Sequence, residues 1–134
     1  MSQEKYFPNV SVVIALRNEE FEISRLVKDL EKQSYPKDKI EFILVNDHSD
    51  DNTGPLLEEY HTNSMKIINM LDGEYGKKKA IKKAISLATG DIIVATDADC
   101  SFSPKWIESM VGYFKNDNIK LVSGPVMFYK KSGF

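Results

Sequence analysis

Apolar positions along this chain alternate between two kinds of pattern. Residues 10–16, "VSVVIAL", are a continuous β-branched apolar run, as expected of a strand buried on both faces. Ile23, Leu26, Val27 and Leu30 then recur at the spacing of one helical face. "IEFILVN" at 40–46 predicts a second buried strand, entered through a loop marked by Pro36. Leu56, Leu57 and Tyr60 predict a short helix, and "KIINML" at 66–71 a third strand. Ala80, Ile81, Ala84, Ile85 and Ala88 form a helical stripe, with Gly90 placed as its C-terminal cap. "DIIVATD" at 91–97 is the next strand. Ser103 and Pro104 carry N-cap and first-turn chemistry, opening a helix with Trp106, Ile107, Met110, Val111 and Phe114 on its buried face. "IKLVSGPVMFY" at 119–129 is the last strand predicted.

This βαβαβαβαβ order predicts an α/β fold: a mostly parallel sheet with helices on both faces. Ligands of such sheets bind in the crevice beyond the carboxyl ends of the strands. With 134 residues, 42% of them hydrophobic, and no repeat or linker-like stretch, one domain over 1–134 is expected. A net charge of −2 excludes a broad nucleic-acid-binding surface, so no nucleic-acid partner is expected. The single cysteine, Cys100, excludes an internal disulfide framework and suits a reducing compartment. No apolar stretch approaches the ~20 residues that span a bilayer, and "MSQEKYFPNV" lacks a signal peptide's apolar core. A cytoplasmic location is expected.

The strand ends carry the chemistry. The first delivers "RNEE" (17–20), the second "NDHSDDNT" (46–53) and the fourth "DADC" (97–100). Asp50, Asp51 and Asn52 read as turn and capping residues. Asp47 comes directly off an apolar strand, and its side chain is expected to reach the crevice. On an extended strand Asp97 and Asp99 would share one side, about 6–7 Å apart. Two uncompensated carboxylates at that spacing call for a cation, and Mg²⁺ and Mn²⁺ take one or two carboxylates plus substrate phosphates. "GKKKAIKK" (76–83) places Lys77, Lys78 and Lys79 at a helix start, where free amides and lysines together favour phosphate. Lys82 or Lys83 reads as part of a solvated face. An acidic pair and a basic helix start in one crevice describe a metal–diphosphate site. His48 and His61 lack metal-ligand spacing and read as structural or surface residues. Arg17 reads either as a surface arginine or as a guanidinium that stacks on a base.

In that order, the segments "VSVVIALRNEE", "ILVNDHSDDNT", "GKKKAI" and "ATGDIIVATDADC" resemble the motifs of family-2 glycosyltransferases, which have the GT-A fold and use nucleotide-diphosphate sugars. The likeness runs from residue 10 to about 104, and "GKKKAI" looks most like the processive, polysaccharide-synthase branch. The resemblance implies that Asp47 contacts the donor's base, usually uracil, and that Ala15, Leu16, Arg17 and Glu19 line the nucleoside pocket. It also implies that Lys77 lies near the diphosphate, that Asp97 and the adjoining Ala98 contact the ribose or metal water, and that Asp99 ligates Mn²⁺ or Mg²⁺. Asn46 stands where the family commonly has Asp, His48 where Gly is common, and Arg17 where an aromatic residue is common. The implied partners are a UDP-sugar and a saccharide or lipid-linked acceptor. Transfer is expected to invert the sugar, with cell-envelope polysaccharide as the product class. The family's catalytic base and acceptor half are expected beyond Phe134, with any membrane attachment, at the cytoplasmic face, also in the parent protein.

Three other classes meet the same pattern less well. A receiver-type signalling domain would carry its acids after the first and third strands. A nucleotidyltransferase needs a Gly-rich loop after the first strand, where this chain has "ALRNEE". A non-catalytic nucleotide-binding module overlaps with the donor-site reading.

Overall fold

The structure, a computed structural model, describes residues 7–112 and the backbone of residues 127–130. Strand β1 (Val10–Leu16) is central. It pairs in parallel with β2 (Ile40–Asn46) on one side and β4 (Ile92–Asp97) on the other. Beyond β2 lies parallel β3 (Met65–Asn69), and β5 (Met127–Lys130) runs antiparallel along β4, giving the order β3-β2-β1-β4-β5. β1, β2 and β4 are buried on both faces, which is why their sequences show apolar runs rather than alternation.

Helices α1 (Ile23–Glu31), α2 (Thr53–Glu58) and α4 (Trp106–Gly112) pack on one face, where Ile23, Leu26, Leu30, Leu57 and Ile107 meet Val12, Ile14, Leu44 and Val94. The other face is covered by α3 (Lys77–Leu87), whose Ala80 and Ala84 lie on Val13, Ile43, Val45 and Ile93. Alanines on that stripe let the helix approach closely. The β1–β2 and β2–β3 crossovers move outward on the first face. The β3–α3–β4 crossover returns over the second face and lands on the far side of β1. The winding therefore reverses between β1 and β4, where a crevice must open at the carboxyl ends.

Several expectations shift. The third strand starts at Met65 and ends at Asn69, before Leu71, which is exposed. Gly90 is not a helix cap: α3 ends at Leu87 with Ala88 extended. Gly90 lies instead against β1, where a Cβ would come within 2.7 Å of the Ser11 nitrogen, and its amide donates to the Ser11 hydroxyl at 2.8 Å. Ser103 and Pro104 precede α4 by a turn, in which Trp106 N–H donates to the Ser103 carbonyl. Of the predicted 119–129 strand, β5 overlaps residues 127–129; residues 119–126, like Phe114, lie outside the described residues.

At the opposite edge from the crevice, Glu41 ties β2 to its neighbours. It accepts hydrogen bonds from Ser11, from Lys66 at 2.8 Å and from both the amide and the hydroxyl of Thr89. Burial pushes its carboxyl up, but the Lys66, Ser11 and Thr89 hydrogen bonds outweigh that and hold it at about 2.

Candidate functional site

The loops after β1 and β2 interlock. Asn18 N–H donates to Ser49 Oγ (2.9 Å), Glu19 N–H to Thr53 Oγ1 (2.8 Å) and Glu20 N–H to the Asp51 carboxylate (3.2 Å). Asp50 N–H donates back to Asn18 Oδ1 (2.7 Å), and Thr53 N–H to Asp51 Oδ1 (2.9 Å). Asp51 thus acts as a turn residue, as its residue type led us to expect, and Asp50 enters the loop network through its backbone amide. Burial acts to raise the Asp51 carboxyl, but bonds from Thr53 and Glu20 prevail and hold it below its ordinary value. Asn46 accepts from Ser49 N–H and donates to Asn69 Oδ1 at 3.1 Å. An aspartate, the commoner family residue, could not make that donation.

Asp47 follows β2 on the α3 side of the sheet. Its N–H donates to the Leu16 carbonyl at 2.8 Å, and its Oδ2 accepts the Gly76 N–H at 3.0 Å. Only 4% of the residue is exposed, and its Oδ1 is buried without a hydrogen-bond partner among the described residues. Gly76, at φ 102°, supplies the left-handed turn into α3. His48 takes φ 55°, a left-handed region that glycine enters more easily. Its ring lies 4.1 Å from that of Tyr75 and its Nε2 is 2.8 Å from the Glu74 carbonyl, so it anchors the loop leading to α3. His61 lies exposed, 3.8 Å from Glu58.

Asp97 closes β4, and its carbonyl accepts the Cys100 N–H (3.3 Å) across a turn that carries Asp99. The two carboxylates therefore do not share one side of an extended strand, as their spacing implied. The turn brings them together: ligand atoms of Asp97, Asp99 and Cys100 lie within 4.8 Å of one another. Oxygen donors at this spacing fit a hard divalent cation such as Mn²⁺ or Mg²⁺. The Lys77 ammonium already lies on the Asp97 carboxylate, a cation where the charge pattern demands one. Burial raises the Glu19 carboxyl, with the carboxylates of Asp99, Glu22 and Asp51 adding to the rise and Arg25 opposing it. This corner is a negative field.

A crevice of about 280 Å³ opens here. Its β1 wall is Ala15, Leu16, Arg17 and Glu19, and Asp47 with Lys77 forms the α3 side. Asp97, Ala98 and Asp99 complete it. Ala15 sits in register between Val45 and Asp97, so the floor is low. All nine residues singled out from the sequence thus line one crevice.

Residues 11–134 match the model of "Glycosyl transferase family 2". The chain belongs to this family. It is 37% identical over 99 residues to the probable glycosyltransferase YdaM of Bacillus subtilis, covering 71% of this chain and 24% of YdaM. The mannosyltransferase PcManGT from Pyrobaculum calidifontis, solved with GDP-Man and Mn²⁺, superposes with a TM-score of 0.76 at 28% identity, over 83% of this chain and 33% of that one. S. aureus TarS 1-349 in complex with UDP gives 0.72 at 25% identity, over 80% and 32%. The architecture is accordingly GT-A, and the chain spans about a quarter to a third of the length of these relatives.

Sequence reasoning missed Arg25, whose guanidinium donates to the Ala98 and Cys100 carbonyls, both at 2.7 Å. It also missed Gly76 as the partner of Asp47. Neither contact has a motif, because the shared partner in each is a backbone group.

Proposed function

We propose that this chain forms the donor site of an inverting, metal-assisted sugar transferase. It holds a nucleoside-diphosphate sugar, UDP-linked in our reading, with Mn²⁺ or Mg²⁺, for transfer to a saccharide or lipid-linked acceptor. The observation that carries this reading is the Asp47 carboxylate. One oxygen is fixed by Gly76 and the other is buried in the crevice wall with no donor among the described residues. Leaving such an oxygen unmatched costs about 1–3 kcal/mol, and a small rotation of the carboxylate would let a base imide N–H satisfy it. Ala15 leaves room for the nucleoside, and the exposed Arg17 covers the base from the rim.

Lys77 and the free amides of the first turn of α3 then face the diphosphate, the ammonium exchanging Asp97 for phosphate oxygen. Asp99 holds the cation, with Asp97 beside it. When bound, the ion supplies Lewis-acid stabilisation of charge on the leaving diphosphate. In the transfer, the acceptor oxygen bonds to the anomeric carbon as the bond to the β-phosphate oxygen breaks, and a base takes the hydroxyl proton. Asp47, Asp97 and Asp99 are all committed to the donor, so we assign that base to a region outside these residues. A cytoplasmic setting suits the free Cys100 thiol, 3.9 Å from Asp99.

Calorimetric titration of UDP, first with Mn²⁺ and then with EDTA, tests the reading. Tighter binding with Mn²⁺ is expected. Equal affinity in both removes the metal from the site, and no UDP binding in either overturns the donor reading.

A further inference from the structure

Arg25 leaves α1 toward the turn that carries Asp99. Its Nη2 donates to the carbonyl of Ala98 and its Nη1 to that of Cys100, the two residues flanking Asp99. Resting on the donor-site reading, we infer that Arg25 is a positioning residue for the cation: its guanidinium sets the Asp97–Cys100 turn so that Asp99 and Asp97 converge.

The guanidinium is itself held from behind. Its Nε donates to Glu22 at 3.0 Å and its Nη1 also to Asp29 at 3.1 Å. The same Asp29 Oδ2 accepts the Phe102 N–H at 3.1 Å. Two residues past the end of α1, Gln33 donates to the Ser103 carbonyl at 2.8 Å and accepts the Ile107 N–H at 3.0 Å. Arg25 and Asp29 on α1 and Gln33 just past its end recur every four residues, and together they grip the backbone from 98 to 107. Asp99 is exposed, and within its turn the backbone bond from Cys100 N–H to the Asp97 carbonyl is long at 3.3 Å. Arg25 therefore supplies the shorter restraints on the turn.

What Arg25 contributes is geometry rather than charge. Its single positive charge faces the two carboxylates of Glu22 and Asp29, so the cluster adds no net positive field that could disturb a bound cation. A planar fork can hold two carbonyls at once, whereas a lysine ammonium on a flexible stem cannot hold both in a fixed relation. Outer residues that orient metal ligands typically change metal affinity 10–100-fold when replaced.

The test is Arg25→Lys in the 134-residue chain, with free Mn²⁺ counted by electron paramagnetic resonance at saturating UDP. We expect Mn²⁺ binding to weaken about tenfold, while UDP binding in EDTA and the far-UV circular dichroism stay as in wild type. A merely structural staple would lower the melting temperature and leave the Mn²⁺ affinity of the folded fraction alone. A folded Arg25→Lys chain that binds Mn²⁺ within twofold of wild type overturns this inference and leaves the donor reading standing. A wild-type chain that binds UDP but no Mn²⁺ overturns the metal assignment and this inference together. Should Arg25→Lys not fold, Asp29→Asn carries the test, since it loosens the guanidinium from behind. A smaller loss of Mn²⁺ affinity supports the inference, and an unchanged affinity overturns it.

Discussion

The Lys77 ammonium rests on the Asp97 carboxylate, joining the first residue of α3 to the last residue of β4 across the crevice. This pair closes a gap of 20 residues in sequence and puts a cation where two acids converge. The same ammonium is the group we assign to the diphosphate, so ligand binding must move it. Lys77→Met should weaken UDP binding by about 1.5–3 kcal/mol, the usual worth of a charge-assisted hydrogen bond, and leave uridine binding unchanged. Without nucleotide, Mn²⁺ should bind this variant more tightly, because the competitor for Asp97 is gone. Calorimetry with UDP, uridine and Mn²⁺ separates these effects, and equal losses for UDP and uridine would refute the phosphate role.

Asp47 has two jobs with different readouts. Its Oδ2 holds Gly76 and so the entry to α3, and its Oδ1 is the acceptor we assign to the base. Asp47→Ala should lower the melting temperature and also weaken both UDP and uridine by about 1–3 kcal/mol. Earlier melting with nucleotide affinity intact would make Asp47 only a loop anchor.

Glu41 predicts the acid limb of stability. Its folded carboxyl titrates at about 2, below its ordinary value of 4.5. A depressed value means that the stabilisation is complete above about pH 4.5 and is lost as the pH falls toward 2. With the Lys66 end of the pair partly solvated, the contribution is roughly 1–3 kcal/mol. Denaturant melts at pH 7, 4.5 and 3 should show wild type losing about half of this amount between the last two, while Glu41→Gln starts lower and falls less. Parallel profiles for the two proteins would show that the network does not bind its charge as described.

Gly90 is a packing residue. A Cβ there meets the Ser11 nitrogen at 2.7 Å and the Val10 carbonyl carbon at 2.8 Å, both rigid main-chain atoms. Gly90→Ala should cost about 1–3 kcal/mol, in the range of overpacking, read as a lower denaturation midpoint with the UDP affinity of the folded chain unchanged. A midpoint at or above wild type would show that the start of β1 can yield.

The strand runs at 10–16, 40–46 and 91–97, and the helical stripes between them, announce a doubly wound sheet from periodicity alone, because burial on both faces leaves the mark of an unbroken apolar run. That topology sends the carboxyl ends of these strands to one edge, so Asp47 and Asp97 could be assigned to a common crevice before any distance was known, and the family resemblance added Ala15. The sequence also marked Asp51 as a turn residue, since its carboxylate accepts the N–H of Thr53 only two positions on. It misread Gly90, whose constraint comes from a β1 strand 79 residues away rather than from the helix before it. It misread the geometry of Asp97 and Asp99 as well, because where a strand stops depends on its partners, and Ala15 pairs with Asp97 as the last rung of β1 with β4. Arg25 was invisible for a deeper reason. It lies on an amphipathic helix among other charged residues, and its partners are carbonyls 73 and 75 positions away. Every residue carries a carbonyl, so a side chain that binds one leaves no pattern in the sequence; only the packing of α1 beside the end of β4 chooses which carbonyls it meets.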